Sequence, residues 1–266
     1  MAQIAQQSFE QNESDQIPGR GMEETNVLLD KIIFVTYENK CFQITTEKCM
    51  KEAQLNSSHE EADTRLLLHA LQAAESGSRA VVINAEDTDV LILCLGLSSN
   101  ISCSLYQKCG TKSRTRYIDI SKLSQALGSG ISNALIGMHA FTGCDTVSAF
   151  AGRGKISMFK QMKSNEAFQE AFNDLGQFWE LSEELFLRLQ MRTCKIYMPS
   201  ATTTEVNKLR YQIFCAKRGE VESSQLPPCK DCLYMQALRA NYQAAVWRRS
   251  LQAQPHFYFI VHNSTS

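Results

Sequence analysis

Ala80-Val81-Val82-Ile83-Asn84-Ala85-Glu86-Asp87-Thr88-Asp89-Val90-Leu91-Ile92-Leu93 is the stretch that decides how this chain is read. Ala80 to Asn84 is a short apolar run of the kind a buried strand needs, and Val90 to Leu97 is a second apolar segment. Between them lies an acidic tip, Glu86-Asp87-Thr88-Asp89, the usual setting for a site at the carboxyl end of a strand. If the tip is extended, Asp87 and Asp89 point one way and Glu86 the other. A turn or helix cap is the ordinary use of such aspartates. The flanking apolar segments leave them little room to be casual surface charges.

Two more motifs set carboxylates against apolar sequence: Glu61-Ala62-Asp63 and Gly143-Cys144-Asp145. Glu60, Glu61 and Asp63 alone would pass for first-turn helix charges, with Ser58 as the N-cap and a helix ending near Gly77. Asp145 alone would pass for a helix cap after a glycine turn. Taken together, converging carboxylates repel one another and resist ionisation unless cations lie between them. Glu61, Asp63, Asp87, Asp89 and Asp145 are therefore candidate ligands of two Mg²⁺ or Mn²⁺ ions, hard cations that take oxygen donors. Asp87, Asp89 and Asp145 are the candidate catalytic residues, and the natural chemistry is phosphodiester hydrolysis.

Around these motifs the chain has 266 residues, 44% apolar and 21% charged, the composition of a globular protein. A net charge of -1 leaves any nucleic-acid binding to local patches. Lys108, Lys112, Arg114 and Arg116 read as a solvated loop. The ten cysteines do not space as a secreted scaffold, and Cys229-Lys230-Asp231-Cys232 lacks the second pair a zinc site needs. It reads as a loop leading into a helix. Residues 1–25 are polar and glutamine-rich, with no signal-peptide pattern, and no apolar run is long enough to span a bilayer. The expectation is an intracellular, reducing compartment and no membrane partner.

Periodicity predicts a hairpin from Lys31 to Thr46 and a strand pair from Ser104 to Ile120. It predicts helices over Ser121–Leu127, Ile131–Phe141 and Ile156–Met162, then four more between Glu166 and Ser250. His59, His69 and His139 stand at helix borders, where capping or packing is the ordinary role. Trp247 with Arg248 and Arg249 reads as a helix end packed on the core.

The ordered set of motifs resembles the catalytic core of flap-endonuclease nucleases of the XPG/PIN-like superfamily. The resemblance covers roughly residues 59–165 and includes Tyr117-Ile118-Asp119-Ile120 and the helix after it. Gly152-Arg153-Gly154-Lys155 resembles the family's helix-hairpin phosphate clamp, making Gly152, Gly154 and Lys155 candidate nucleic-acid contacts. His59-Glu60-Glu61-Ala62-Asp63-Thr64 and His139-Ala140-Phe141-Thr142-Gly143-Cys144-Asp145-Thr146 are similar to a group of animal proteins with this core. Ala240-Asn241-Tyr242-Gln243 and Val246-Trp247 are similar to that group's helical tail. The resemblance implies an α/β, three-layer PIN-like domain with a mostly parallel central sheet and a helical C-terminal extension. It also implies action on DNA or RNA, single-stranded or flapped, and a place in the nucleus.

Two departures accompany it. Asp63 stands where the family has a longer glutamate. The family's first strand, ending in a metal-binding aspartate, is missing from residues 1–58, where Asp30 precedes its strand instead of following it. The chain thus resembles an N-terminally truncated member: 1–25 disordered, 26–165 core, 166–250 helical extension, 251–266 tail. The rivals are a nuclease-fold binding protein without turnover, and a phosphotransfer enzyme using the Asp-x-Asp as nucleophile.

Overall fold

A computed structural model describes residues 2–5 and 31–255 of the protein. The architecture is mixed α/β. Four strands form one sheet: β1 (Ala2–Ala5), β5 (Ala80–Asn84), β6 (Ser104–Cys109) and β7 (Arg116–Asp119), in the order β1-β5-β6-β7. β5 runs parallel to both neighbours, and β7 returns antiparallel to β6. The expected mostly parallel sheet is therefore a small mixed one. Its centre is β5, whose Val81, Val82 and Ile83 are all buried, as an interior parallel strand requires.

β1 corrects the reading of residues 1–25 as wholly disordered. Ala2 to Ala5 pair with Val81 to Asn84, adding a parallel strand to the edge of β5. A four-residue run bearing a glutamine is too short to show as a strand until β5 supplies its hydrogen-bond partners. Residues 6–30, including Asp30, and the 256–266 end of the tail lie outside the described residues.

The predicted hairpin forms as β2 (Ile33–Tyr37) and β3 (Lys40–Ile44), closed by Glu38-Asn39 and extended by β4 (Cys49–Lys51). Its side chains reach α1 (Ala62–Glu75) through a small cluster of Cys41, Leu55 and Leu68, and through Thr36 Oγ1, 2.8 Å from His69 Nε2. α1 packs on β1 and β5, and starts at Ala62 with Glu61 in the cap position, not at Ser58.

α2 (Thr88–Leu97) replaces the extended tip expected there. A short apolar run does not distinguish helix from strand by periodicity. Being apolar nearly all round, this helix is buried from Val90 to Leu97 apart from half-buried Leu91. α3 (Ile120–Leu127) packs on β6 and ends at Gly128.

α4 (Ser129–Thr142) is the hub. It packs against α2, α5 (Lys155–Ser164), α6 (Glu166–Asp174) and α9 (Lys230–Arg248). A Cβ on Gly137 would stand 2.1 Å from the Phe172 carbonyl oxygen, so glycine is what permits the α4–α6 approach. Phe141 and Phe172 pack at a 50° tilt with ring centroids 5.9 Å apart and are fully buried, each burial worth roughly 1.5–3 kcal/mol. α7 (Glu183–Tyr197) and α8 (Val206–Ala216) complete the helical region. Their core side chains join those of the sheet and α4 in one apolar cluster. Among the described residues, no helix is long and apolar enough to cross a membrane.

α9 is held by side chains that bond main chain. Asn241 accepts the Gly176 N–H at 2.9 Å and donates to the carbonyls of Phe178 and Trp179. Arg248 donates to the carbonyls of Phe172 and Leu175, and Arg249 to those of Gly176 and Gln177. The two arginines pack the helix end onto the core, as its sequence indicates.

Candidate functional site

The acidic tip leaves β5 through Ala85 and turns into α2 at Asp87. Asp87 is the N-cap: its Oδ1 accepts the Asp89 N–H at 2.9 Å, and both carboxylates sit at the electropositive end of the helix. Buried Gln107 of β6 donates its amide to the carbonyls of Ala85 (2.9 Å) and Asp87 (3.3 Å), pinning the tip to the sheet. Glu86 turns away, its Oε1 accepting the Gly110 N–H.

At the start of α1, Glu61 occupies the cap position without making a capping bond. Its carboxylate instead reaches α9, where Oε1 accepts from Gln243 Nε2 (2.7 Å) and Oε2 from the Trp247 indole (2.8 Å). Asp63, in the first turn, is half-buried. Its carboxyl is raised to about 6, first by burial and then by repulsion from Asp87, Asp89, Glu61 and Asp145, in that order. The acids that crowd Asp63 are the four the sequence grouped with it. Exposed Glu60 is not among them.

Gly143 ends α4 at φ +113, where a Cβ would stand 2.7 Å from Ala149 Cα. The chain then makes a two-residue turn: Cys144 and Val147 exchange main-chain hydrogen bonds, leaving Asp145 and Thr146 at its tip. Asp145 is thus an exposed turn residue, not a helix cap. An open hollow of about 420 Å³ is lined by the Gly143–Ala149 segment.

His139, buried on α4, joins the second and third motifs. Its Nε2 lies 2.6 Å from Asp89 Oδ1, and Lys155 Nζ stands against the ring, 3.1 Å from Nδ1 and 3.2 Å from Nε2. Lys155 therefore leans into the acid cluster through His139. Gly154 precedes it as the cap residue of α5, and Gly152 takes φ +66; a Cβ on either would meet nothing within 4 Å. Arg153 is engaged with Tyr197, its guanidinium 4.8 Å from the ring centroid.

No protein-family model, curated protein or solved structure matches the chain.

The chemistry of the donor set suits a hard divalent cation: five carboxylates from three segments, all oxygen, with Asp63 held short of easy ionisation first by burial and then by the other four. Among the described residues, no three His, Cys, Asp or Glu side chains already form an ion cage. Glu61, Asp63, Asp87, Asp89 and Asp145 are the residues that would hold such an ion. Cys229 and Cys232 stand apart at the start of α9, as a loop entering a helix.

The sequence reading gave no role to Gln107 or to the link from Lys155 to His139, and placed Gln243 only within the helical tail. It read His139 as capping or packing and Trp247 as packing. Gln243 and Trp247 are four apart on one helix face, a spacing legible in the sequence. What they face is not, because their partner lies at the other end of the chain.

Proposed function

We propose that the protein is a divalent-metal-dependent phosphodiesterase acting on DNA or RNA, built on a three-layer domain of PIN/flap-nuclease type. The observation that carries this reading is the set of hydrogen bonds that links the three acidic segments: α9 donates to Glu61 and accepts from Thr146 beside Asp145, and His139 holds Asp89, while Asp63 is raised by burial and by its four acidic neighbours. Bound Mg²⁺ or Mn²⁺ supplies a Lewis acid and lowers the pKa of a coordinated water. The chain's part is to hold the ions with these carboxylates, and to keep Asp89 aimed through His139. The open glycines 152 and 154 leave the amides at the start of α5 approachable by a phosphate. Lys155 adds positive charge at the border between that helix end and the acids. A role in the nucleus belongs to the same proposal.

The test is cleavage of single-stranded and flapped DNA and RNA with and without Mg²⁺ or Mn²⁺. Metal-dependent cleavage lost in Asp87→Ala and Asp89→Ala is the expected result. Cleavage that persists in both variants, or that ignores chelator, overturns the reading.

A second reading, a nuclease-fold binding protein without turnover, is favoured by one observation. The strand that pairs with β5 from the start of the chain, β1, ends at Ala5 and is followed in sequence by Gln6 and Gln7, with no acid there to serve as a first metal ligand. Metal-stimulated binding of nucleic acid with no product would select it.

A further inference from the structure

Resting on the metal-site reading, we infer that Gln243 and Trp247 of α9 are positioning residues, which set the metal ligand Glu61 and make the last turns of that helix part of the site. Each donor takes one oxygen of the same carboxylate, Gln243 at 2.7 Å and Trp247 at 2.8 Å. Both side chains are nearly fully buried, 4% and 2% exposed, so they hold Glu61 in one rotamer. An ionised carboxylate has about four acceptor sites, so two remain for a cation. Glu61 sits where a helix cap would be and makes no capping bond, because its carboxylate is turned to α9 instead.

The brace reaches the other motifs as well. Gln243 Oε1 accepts the Thr146 hydroxyl at 2.7 Å, which fixes the amide's orientation and ties it to the turn that carries Asp145. The Trp247 ring packs against His139, centroids 5.8 Å apart, and His139 holds Asp89. One face of one helix thus reaches all three acidic segments: it holds the Glu61 carboxylate, packs on the holder of Asp89 and bonds the Thr146 hydroxyl beside Asp145. Asn241, two residues before Gln243, anchors the same helix to the main chain at Gly176, Phe178 and Trp179. Amide and indole donors suit this task because neither competes with a cation by carrying charge. Such outer partners of metal ligands are typically worth about 10- to 100-fold in metal affinity.

The experiment is a Mn²⁺ titration of the full chain followed by electron paramagnetic resonance. Trp247→Phe keeps the ring beside His139 and removes the N–H. It is expected to weaken Mn²⁺ binding by about 10- to 100-fold, with its thermal midpoint close to that of the unsubstituted chain. Glu61→Gln should weaken binding too, and the double variant no further than Glu61→Gln alone. Unchanged affinity in Trp247→Phe, or losses that multiply in the double variant, overturn the inference while leaving the metal site standing. No saturable Mn²⁺ binding by the unsubstituted chain overturns both. A second measurement needs no change at the brace. The chain has two tryptophans, so in Trp179→Phe the fluorescence of Trp247 reports alone. A saturable Mg²⁺-dependent change, abolished by adding Glu61→Gln, is expected, and fluorescence indifferent to Mg²⁺ counts against the brace.

Discussion

His139 Nε2 and Asp89 Oδ1 are 2.6 Å apart although the residues are separated by 50 positions. That bond joins the end of α4 to the first turn of α2, and so ties the Gly-Cys-Asp turn to the acidic tip. His139 is 1% exposed and Asp89 16%, so the pair is shielded from competing water. Replacing His139 with Phe should cost roughly 1.5–3 kcal/mol, the usual worth of a hydrogen bond to a charged group. It should also free Lys155 from its partner. Urea denaturation measures the first effect, and a loss under 0.5 kcal/mol would show the bond to be incidental.

Asp63 makes stability depend on pH. Its carboxyl is raised from 3.8 to about 6 by burial and by four neighbouring acids, so the folded state binds a proton that the unfolded chain has already released. Stability from this group therefore falls as pH rises from about 4 to 6 and stays lower above that. Asp63→Asn should be more stable than the unsubstituted chain at pH 7. The gain is on the order of 1 kcal/mol after allowing for solvent screening of a half-exposed group. The gain should fade towards pH 4, and millimolar Mg²⁺ should narrow it at pH 7. A difference flat across pH 4–8 would refute the electrostatic account.

Asp87 serves two ends that substitution can separate. Asn is as good an N-cap as Asp, so Asp87→Asn should leave the melting temperature almost unchanged. Asp87→Ala loses the cap to the Asp89 N–H and about 1 kcal/mol. Both remove the charge, and both should weaken Mn²⁺ binding alike. Retained affinity in Asp87→Asn would limit this residue to capping.

Gly143 tolerates no side chain. At φ +113, with Ala149 Cα 2.7 Å from where a Cβ would sit, Gly143→Ala combines backbone strain with a main-chain clash. A loss of about 2–4 kcal/mol is expected, against the ordinary 0.4–1 kcal/mol gain where alanine fits. Thermal unfolding of this variant beside Gly152→Ala, whose space is open, separates clash from the shared positive φ.

Much of the local structure is legible because it depends on neighbours in the chain. The hairpin around Glu38-Asn39, the β6–β7 pair and the helices from α3 onwards follow from side-chain periodicity, turn residues and caps that act within a few positions. Glu86 facing away from Asp87 and Asp89 was expected from an extended tip, and it does face away, though the tip is the start of a helix. Asp87 is still extended, and the helix begins one residue later at Thr88; alternation could not show that start, since Val90–Leu97 is apolar on every side and periodicity is silent there. β1 was missed for a related reason: Ala2–Ala5 has no strand character of its own until β5 pairs with it.

From its sequence alone, this chain determines which residues can carry chemistry: five carboxylates set against apolar segments that packing by itself would not place there. Side-chain type and local spacing suffice for that. Whether the acids meet, and what holds them, only the tertiary structure decides, because those contacts join residues far apart in the chain, 182 positions for Gln243 and Glu61 and 50 for His139 and Asp89. Attraction and repulsion at a few ångströms depend on distance in space, and a helix face does not encode what will be laid against it.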